Sequence, residues 1–280
     1  MPLKFFLLPL FLVLTLALPV AAQEKKESVY DRVMRTGTIR CGYFSWYPAV
    51  IKDPVTGEFK GIVYEYMSAL GRALNLKIDW VEEIGLGDYP AALESGRIDA
   101  MCAGVWITSE RARDSDFVKP LFYLALYPYV RADDHRFDAD INIINNSQYR
   151  MAVLDGGVTE TIRWHLFPQA RAVVLPQLTS PAELFAILAQ GKADMLIYDR
   201  FTFGEFDKNN PGKLRQLSTT PVKIYPNAVP VKRGEEEFRR MLDHATDELF
   251  LTGTLDKIID RHEKYPGTFL RVVKPYGVGE

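Results

Sequence analysis

The sequence predicts an α/β protein made of two similar units that are joined by two strands. A β-α-β-α-β pattern with apolar strands occupies residues 38–103, and a second such pattern occupies residues 149–198. Strands that are apolar throughout are typical of parallel sheets with helices on both faces. Two further apolar runs, at residues 121–130 and 222–231, predict strands that lead from one unit to the other and back. The protein should therefore have two lobes that meet at a two-strand hinge.

The first unit opens with a short amphipathic helix at residues 28–36, which Gly37 ends. Apolar side chains recur at helical spacing in residues 62–75. Gly96 marks the end of a shorter helix at residues 88–95, because glycine readily takes the left-handed conformation that ends many helices. The other elements predicted here are strands at 38–44, 76–81 and 98–103, a turn between short strands at 53–60, and the start of a helix at 108–113.

The second unit repeats this order of elements. Ser180 and Pro181 predict the start of a helix at residues 180–190, because serine caps helices and proline fits their first turn. The other elements predicted in this unit are strands at 149–154, 172–175 and 193–198 and a helix at 159–166.

The chain closes with two helices, at residues 235–251 and 255–262, which should return to the first unit. This path makes lobe 1 discontinuous, with lobe 1 at residues 28–128 plus 226–280 and lobe 2 at residues 129–225. In open α/β sheets, ligands bind beyond the carboxyl ends of the strands. A cleft between two such lobes is therefore the expected site for a small solute.

Residues 1–22 read as a secretory signal peptide. Lys4 precedes an apolar run at residues 5–17, and Val20 and Ala22 are small enough for the −3 and −1 positions of a cleavage site before Gln23. A membrane helix is the alternative, but the run is too short and too poorly flanked for a stable anchor. The residue directly after the cleavage site is Gln23 and not a cysteine, so we expect no lipid anchor there. We expect export to the periplasm in soluble form.

Composition and charge narrow the function further. The net charge of −2 provides no basic field for nucleic acid or a membrane surface. The four histidines stand on scattered segments, and no metal-ligand spacing, nucleophile motif or phosphate-binding loop occurs. We therefore expect no metal, no cofactor and no catalytic residue.

The chain has two cysteines, Cys41 and Cys102, each in an apolar run that reads as a strand. We expect two buried free thiols. A disulfide is the alternative in an exported protein, and it depends on a Cα spacing that the sequence does not give.

Several ordered motifs carry a resemblance to a known family. Residues 91–100 read AALESGRIDA, residues 104–111 read GVWITSER, residues 116–123 read DFVKPLFY and residues 191–199 read GKADMLIYD. In order and spacing, from about residue 38 to 265, they resemble the family 3 solute-binding proteins of ABC transporters, the group that binds polar amino acids. The resemblance implies the type II periplasmic binding protein fold, a small-molecule ligand, a monomer, and an inner-membrane permease driven by a separate ATPase.

The resemblance also assigns roles to two charged residues. Arg111 matches the arginine that binds the ligand carboxylate, and a guanidinium is suited to this because it pairs bidentately and stays charged. Asp199 matches the second-lobe aspartate that binds the ligand ammonium group. The alternative for Asp199 is a cap for the helix that follows it.

Other positions of the expected site depart from the family pattern. Trp106 replaces a hydroxyl residue, and the second-lobe anion loop contains Gly157 and Val158 where the family has hydroxyls. Their amides and the Thr159 hydroxyl remain as donors. Aromatic and apolar side chains should line the pocket, which suits an apolar, aromatic or quaternary ammonium group. The ligand-binding residues predicted in full are Arg111, Asp199, Tyr47, Phe44, Trp106, Gly104, Leu86, Asp155, Gly157 and Thr159.

Two other functions fit the same fold. Exported cyclohexadienyl dehydratases resemble this family, and Asp155, Asp199 or Glu160 would supply the acid that such an enzyme needs. A freestanding receptor for a membrane sensor is the other. The sequence favours an amino acid or related small carboxylate as ligand and leaves its identity open.

Overall fold

The structure is a computed structural model that describes residues 27–272, so the predicted signal peptide lies outside the described residues. The helices are α1 (Val29–Thr36), α2 (Ile62–Leu74), α3 (Tyr89–Ser95), α4 (Val158–Leu166), α5 (Pro181–Ala189), α6 (Arg200–Asn209), α7 (Glu236–Leu251) and α8 (Thr254–His262). The strands are β1 (Thr38–Tyr43), β2 (Ile51–Lys52), β3 (Phe59–Lys60), β4 (Lys77–Glu83), β5 (Ala100–Met101), β6 (Val105–Trp106), β7 (Ser115–Phe117), β8 (Phe122–Arg131), β9 (Arg150–Leu154), β10 (Arg171–Leu175), β11 (Leu196–Asp199), β12 (Leu214–Gln216), β13 (Lys223–Ala228), β14 (Pro230–Lys232) and β15 (Phe269–Leu270).

The first unit is built on a five-stranded sheet of order β4-β1-β5-β14-β7. Strand β1 pairs in parallel with β4 and β5, as the apolar strand pattern predicts. Strand β14, which comes from late in the chain, pairs antiparallel with both β5 and β7. The closing helices α7 and α8 pack against α2. The late part of the chain therefore returns to the first unit.

The second unit contains the parallel pair β9 and β10, with α4 and α5 packed on β9 and α6 packed on α5. A parallel bridge between Met151 and Met195 places the start of the next run beside β9. Strand β11 then pairs antiparallel with β8.

The two long strands β8 and β13 join the units. They pair antiparallel with each other from Leu126 and Lys223 to Phe122 and Asn227. At the first-unit end β13 also pairs with β6, and at the second-unit end β8 pairs with β11 and β12. The predicted pair of connecting strands is therefore one continuous ladder.

Each unit is held by a buried aspartate at the same place in its motif. The amide of Asp99 donates to the Arg40 carbonyl at 2.8 Å, and the Arg40 amide donates back to the Asp99 carboxylate at 2.6 Å. Asp194 makes the same exchange with Arg150, at 2.7 and 2.9 Å. Both aspartates are buried. The repeated glycine-x-x-aspartate pattern therefore ties a chain reversal to the first strand of its unit.

The segment around residues 98–113 is less regular than the sequence predicts. The strand shortens to Ala100–Met101 and is followed by a turn, after which Gly104 takes a left-handed conformation with φ of 72°. The predicted helix is only a short 3-10 turn at Arg111–Arg113. The Thr108 hydroxyl accepts the Arg111 amide at 3.2 Å, as a helix cap does, but the chain enters strand β7 at Ser115 and leaves room for one turn only.

Cys41 and Cys102 form a disulfide, so the expectation of two free thiols is wrong. Cys41 lies in β1 and Cys102 directly follows β5, its parallel neighbour, with Cys41 opposite Ala100. The two Cα atoms lie 5.4 Å apart, within the range that a disulfide needs. Strand adjacency, which the sequence does not give, decides the outcome.

Reduction of this disulfide should destabilise the protein. The bridge closes a loop with a sequence separation of 61, and chain-entropy arguments give about 4 kcal/mol for such a loop. Urea unfolding of the wild-type protein should therefore shift to lower concentration when dithiothreitol is added, whereas the Cys41→Ala/Cys102→Ala variant should not respond to dithiothreitol. An equal response of both proteins would contradict the role of the bridge.

Candidate functional site

Arg111 lies where the two units face each other. Its Nη1 donates to the Trp106 carbonyl at 2.9 Å, within the first unit. Its Nη2 donates to the Gly156 carbonyl at 2.7 Å, in the loop between β9 and α4 of the second unit. Burial lowers the pKa of Arg111, but a guanidinium remains charged at neutral pH. A fixed positive charge therefore bridges the two units.

A small cavity, here called the inner cavity, lies on one side of Arg111. Its volume is about 20 Å³. The rings of Trp46 and Trp106 meet edge to face at 5.4 Å, and Trp106 meets Tyr198 at 5.6 Å. These aromatic side chains pack against one another and leave little space for a solute between them. The wall consists of Phe44, Trp46, Leu86, Ala103, Gly104, Val105, Trp106, Arg111 and Tyr198.

A larger cavity, here called the outer cavity, lies on the other side of Arg111 and measures about 300 Å³. Residues from three segments line it: 86–90 and 110–114 of the first unit and 156–164 of the second. Leu86 contributes to both cavities. The fully buried Tyr89 also lines the outer cavity, and its hydroxyl lies beside the Ser115 hydroxyl. Burial raises the pKa of Tyr89, so this hydroxyl stays protonated.

Tyr47 does not reach either of these cavities. Its ring lies 5.3 Å from that of Phe201, and the Lys264 ammonium sits 5.0 Å from the Tyr47 ring centre. With Trp46 it lines a separate cavity of about 280 Å³ beside α5 and α6. The structure thus separates Tyr47 from Arg111.

Asp199 is the cap of α6. Its Oδ1 accepts the Thr202 amide and its Oδ2 accepts the Thr202 hydroxyl, both at 2.9 Å. The side chain is buried and is not among the residues that line the inner or outer cavity. Burial raises the pKa of Asp199 in spite of the hydrogen bonds from Thr202. The capping role that the sequence offered as an alternative is therefore present.

The predicted ligand-binding residues in and beside the loop before α4 differ in burial and in hydrogen bonding. Asp155 is exposed, and Gly157 is buried with its amide donated to the Leu154 carbonyl at 2.8 Å. The Thr159 hydroxyl accepts the Leu154 amide at 3.1 Å. Within the described part of the chain, the amides of Val158 and Thr159 have no acceptor. The donors left at this helix start are thus those two amides.

Gly104 has a structural reason to be glycine. Besides its positive φ, a Cβ at this position would lie 2.3 Å from the Asn227 Oδ1. The Asn227 side-chain amide donates to the Gly104 carbonyl at 3.1 Å. A side chain at residue 104 would break this contact between β13 and the cavity wall.

Further contacts between the units involve residues that the sequence did not indicate. The Gly87 amide donates to the Gln177 Oε1 at 2.9 Å, and a Cβ at Gly85 would lie 2.2 Å from the same atom. On the neighbouring side, the Thr161 hydroxyl donates to Glu110 at 2.7 Å. Apart from Glu110, which belongs to the motif at residues 104–111, these residues lie outside the motifs and carry no signal in one sequence.

Comparison with known proteins agrees with this geometry. The bacterial extracellular solute-binding proteins, family 3, match residues 39–265. The chain belongs to this family. No helix within residues 27–272 of this family 3 protein is long and apolar enough to cross a membrane. The resemblance carried by the motifs is thus confirmed, and with it the two-lobed fold.

Individual relatives are distant but cover most of the family 3 chain. A Neisseria gonorrhoeae protein named "Probable histidine-binding protein" is 24% identical over 216 residues, which are 74% of this chain and 75% of the relative. An ancestral amino acid-binding protein described as a precursor of cyclohexadienyl dehydratase has a TM-score of 0.73 and 22% identity, covering 85% of this chain and 100% of its own. An amino acid ABC transporter substrate-binding protein from Streptococcus pneumoniae, solved with L-arginine, has a TM-score of 0.71 and 21% identity, covering 84% and 98%. At these identities, the two structures support the fold.

Replacement of Asp199 by asparagine should test the cost of its buried charge. Because the folded pKa of Asp199 is raised, its stabilising contribution is greatest below the unfolded pKa, near 4, and decreases as pH rises through the folded pKa. Asparagine keeps the cap but lacks this dependence. The free energy of unfolding of wild type minus that of Asp199→Asn should therefore fall between pH 4 and pH 8 in urea titrations. A difference that rises with pH would contradict this assignment.

Proposed function

We propose that this protein is the periplasmic solute-binding component of an ABC importer. It captures an amino acid or a related small carboxylate between lobe 1, at residues 28–128 plus 226–280, and lobe 2, at residues 129–225. The family, a relative named as a probable histidine-binding protein and a structure solved with L-arginine support an amino acid as the solute. Residues 1–22 act as the signal peptide, and the protein works as a monomer with a membrane permease and a separate ATPase.

The observation that carries this proposal is the position of Arg111 between the two units. A guanidinium has five N–H donors, and the two contacts to the Trp106 and Gly156 carbonyls leave others for a solute carboxylate. The unpartnered amides of Val158 and Thr159 begin a helix, where an anion is favoured. A carboxylate held by both units would stabilise the closed arrangement, because it makes its full set of contacts only there.

Capture suits the side chains better than catalysis does. Among the acids considered for an elimination reaction, Asp199 is occupied by Thr202 and Asp155 is exposed. Glu160 lines the outer cavity, but its carboxylate accepts the Gly156 amide at 3.3 Å. Consumption of prephenate or arogenate by the purified protein would instead indicate a dehydratase activity.

Replacement of Arg111 by alanine should weaken amino-acid binding by about 2–5 kcal/mol, because a desolvated carboxylate would lose its charged partner. The measurement is isothermal titration of protein that has been unfolded and refolded to remove bound solute, with a panel of amino acids. Arg113→Ala is the matched control, since Arg113 is exposed on the same short turn. Equal affinity in wild type and Arg111→Ala would remove the carboxylate assignment, and no binding of any amino acid or small carboxylate would refute the proposed function.

A further inference from the structure

The volumes of the two cavities beside Arg111 decide where a solute fits. The inner cavity, at about 20 Å³, has room for about one water molecule. The outer cavity, at about 300 Å³, reaches the size of small-molecule sites in proteins. Trp46, Trp106 and Tyr198 occupy the space on the inner side through their edge-to-face contacts. A solute that touches Arg111 in this arrangement therefore lies on the outer side.

The outer cavity has an excess of negative charge. Three carboxylates line it, those of Glu110, Asp114 and Glu160, against the single guanidinium of Arg111. Glu110 and Glu160 already accept hydrogen bonds from Thr161 and from the Gly156 amide. The Asp114 carboxylate has no hydrogen-bond or ion-pair partner within residues 27–272. A positive group on the solute would offset this excess.

An aromatic wall completes the outer cavity. Trp164, on α4, leaves 62% of its surface exposed although it borders the cavity. The guanidinium carbon of Arg163 lies 4.9 Å from the centre of its ring, so one face already holds a cation. Indole faces attract cations, and the exposed part of Trp164 offers the same attraction to a solute.

The polar groups at the base of the cavity favour a carboxylate. Arg111 has N–H donors beyond those given to Trp106 and Gly156. The cavity therefore has a carboxylate-binding end at Arg111, and it has carboxylates and an indole elsewhere on its wall.

The geometry points to the outer cavity as the solute-binding site, with an amino acid that has a cationic side chain as its ligand. The α-carboxylate lies against Arg111, and the side-chain cation lies among Asp114, Glu160 and Trp164. This inference rests on the proposed function and assigns to its ligand a charge class and a position. Phe44 and Trp106, which the sequence predicts to line the ligand pocket, then belong to the filled inner cavity and do not form a pocket for the side chain of the solute.

The test is isothermal titration with L-arginine and with L-citrulline, which has nearly the same shape but a neutral side chain. Wild type should bind L-arginine at least about tenfold more tightly than L-citrulline. Asp114→Asn/Glu160→Gln should weaken L-arginine by about tenfold or more and change L-citrulline by less than about threefold. Asp133→Asn/Glu237→Gln removes the same charges at exposed positions outside the cavity and should leave both affinities unchanged.

The outcomes separate this inference from the proposed function. L-citrulline or L-glutamine bound as tightly as L-arginine, with dependence on Arg111, would overturn the cationic assignment and leave the amino-acid function standing. L-arginine affinity that is unaffected in the Asp114→Asn/Glu160→Gln variant would overturn the position of the cation. Binding confined to solutes without a cationic side chain would overturn the cationic assignment alone, and no binding of any amino acid or small carboxylate to refolded wild type would overturn both. Circular dichroism of each variant checks that the fold is kept.

Discussion

The guanidinium of Arg111 is the contact on which the arrangement of the site depends. It is a single charged group that donates to a carbonyl of each unit, Trp106 in one and Gly156 in the other. Because burial disfavours its charge, the group gains from any anion that enters beside it. The same side chain therefore explains why the two units approach each other here and why a carboxylate should bind between them.

The same hydrogen-bond arrangement supports the loops of the site in both units. In each unit a buried aspartate, Asp99 or Asp194, donates its amide to a carbonyl of the first strand. Its carboxylate accepts the amide of the same strand residue. Burial raises the pKa of Asp194, but hydrogen bonds from Arg150 and Arg136 outweigh this and hold it below its usual value. Breaking a buried, paired charge is costly, so these aspartates fix the chain reversals rigidly. The loops that carry the site are thereby attached to firm sheets.

Periodicity and turn residues predict the regular elements well where the local signal is strong. Helix α2 and the cap and first turn of α5 follow from apolar spacing and from Ser180 and Pro181. The order of the motifs predicts the family, and the resemblance singles out Arg111. The structure places this residue between the two units. The helix predicted from residue 108 is cut to one turn, because strand β7 begins at Ser115 and pairs with β14 from late in the chain.

A single sequence does not show which distant segments of the chain contact each other. The disulfide depends on β1 and β5 being neighbours, and the separation of Tyr47 from Arg111 depends on packing against Phe201. The wall of the outer cavity combines two loops with one face of α4, and only Glu110 and Arg111 among its residues belong to a motif of the sequence. Trp106 illustrates the same limit, since its residue type predicts an aromatic pocket but only packing shows that the pocket is filled.

A crystal structure of the protein with its most tightly bound amino acid tests the central claim most directly. The account predicts a solute carboxylate oxygen within about 3 Å of an Arg111 guanidinium nitrogen, with atoms of both units in contact with the solute. A solute held by one unit alone, away from Arg111 and with that guanidinium still bonded only to backbone carbonyls, would contradict it.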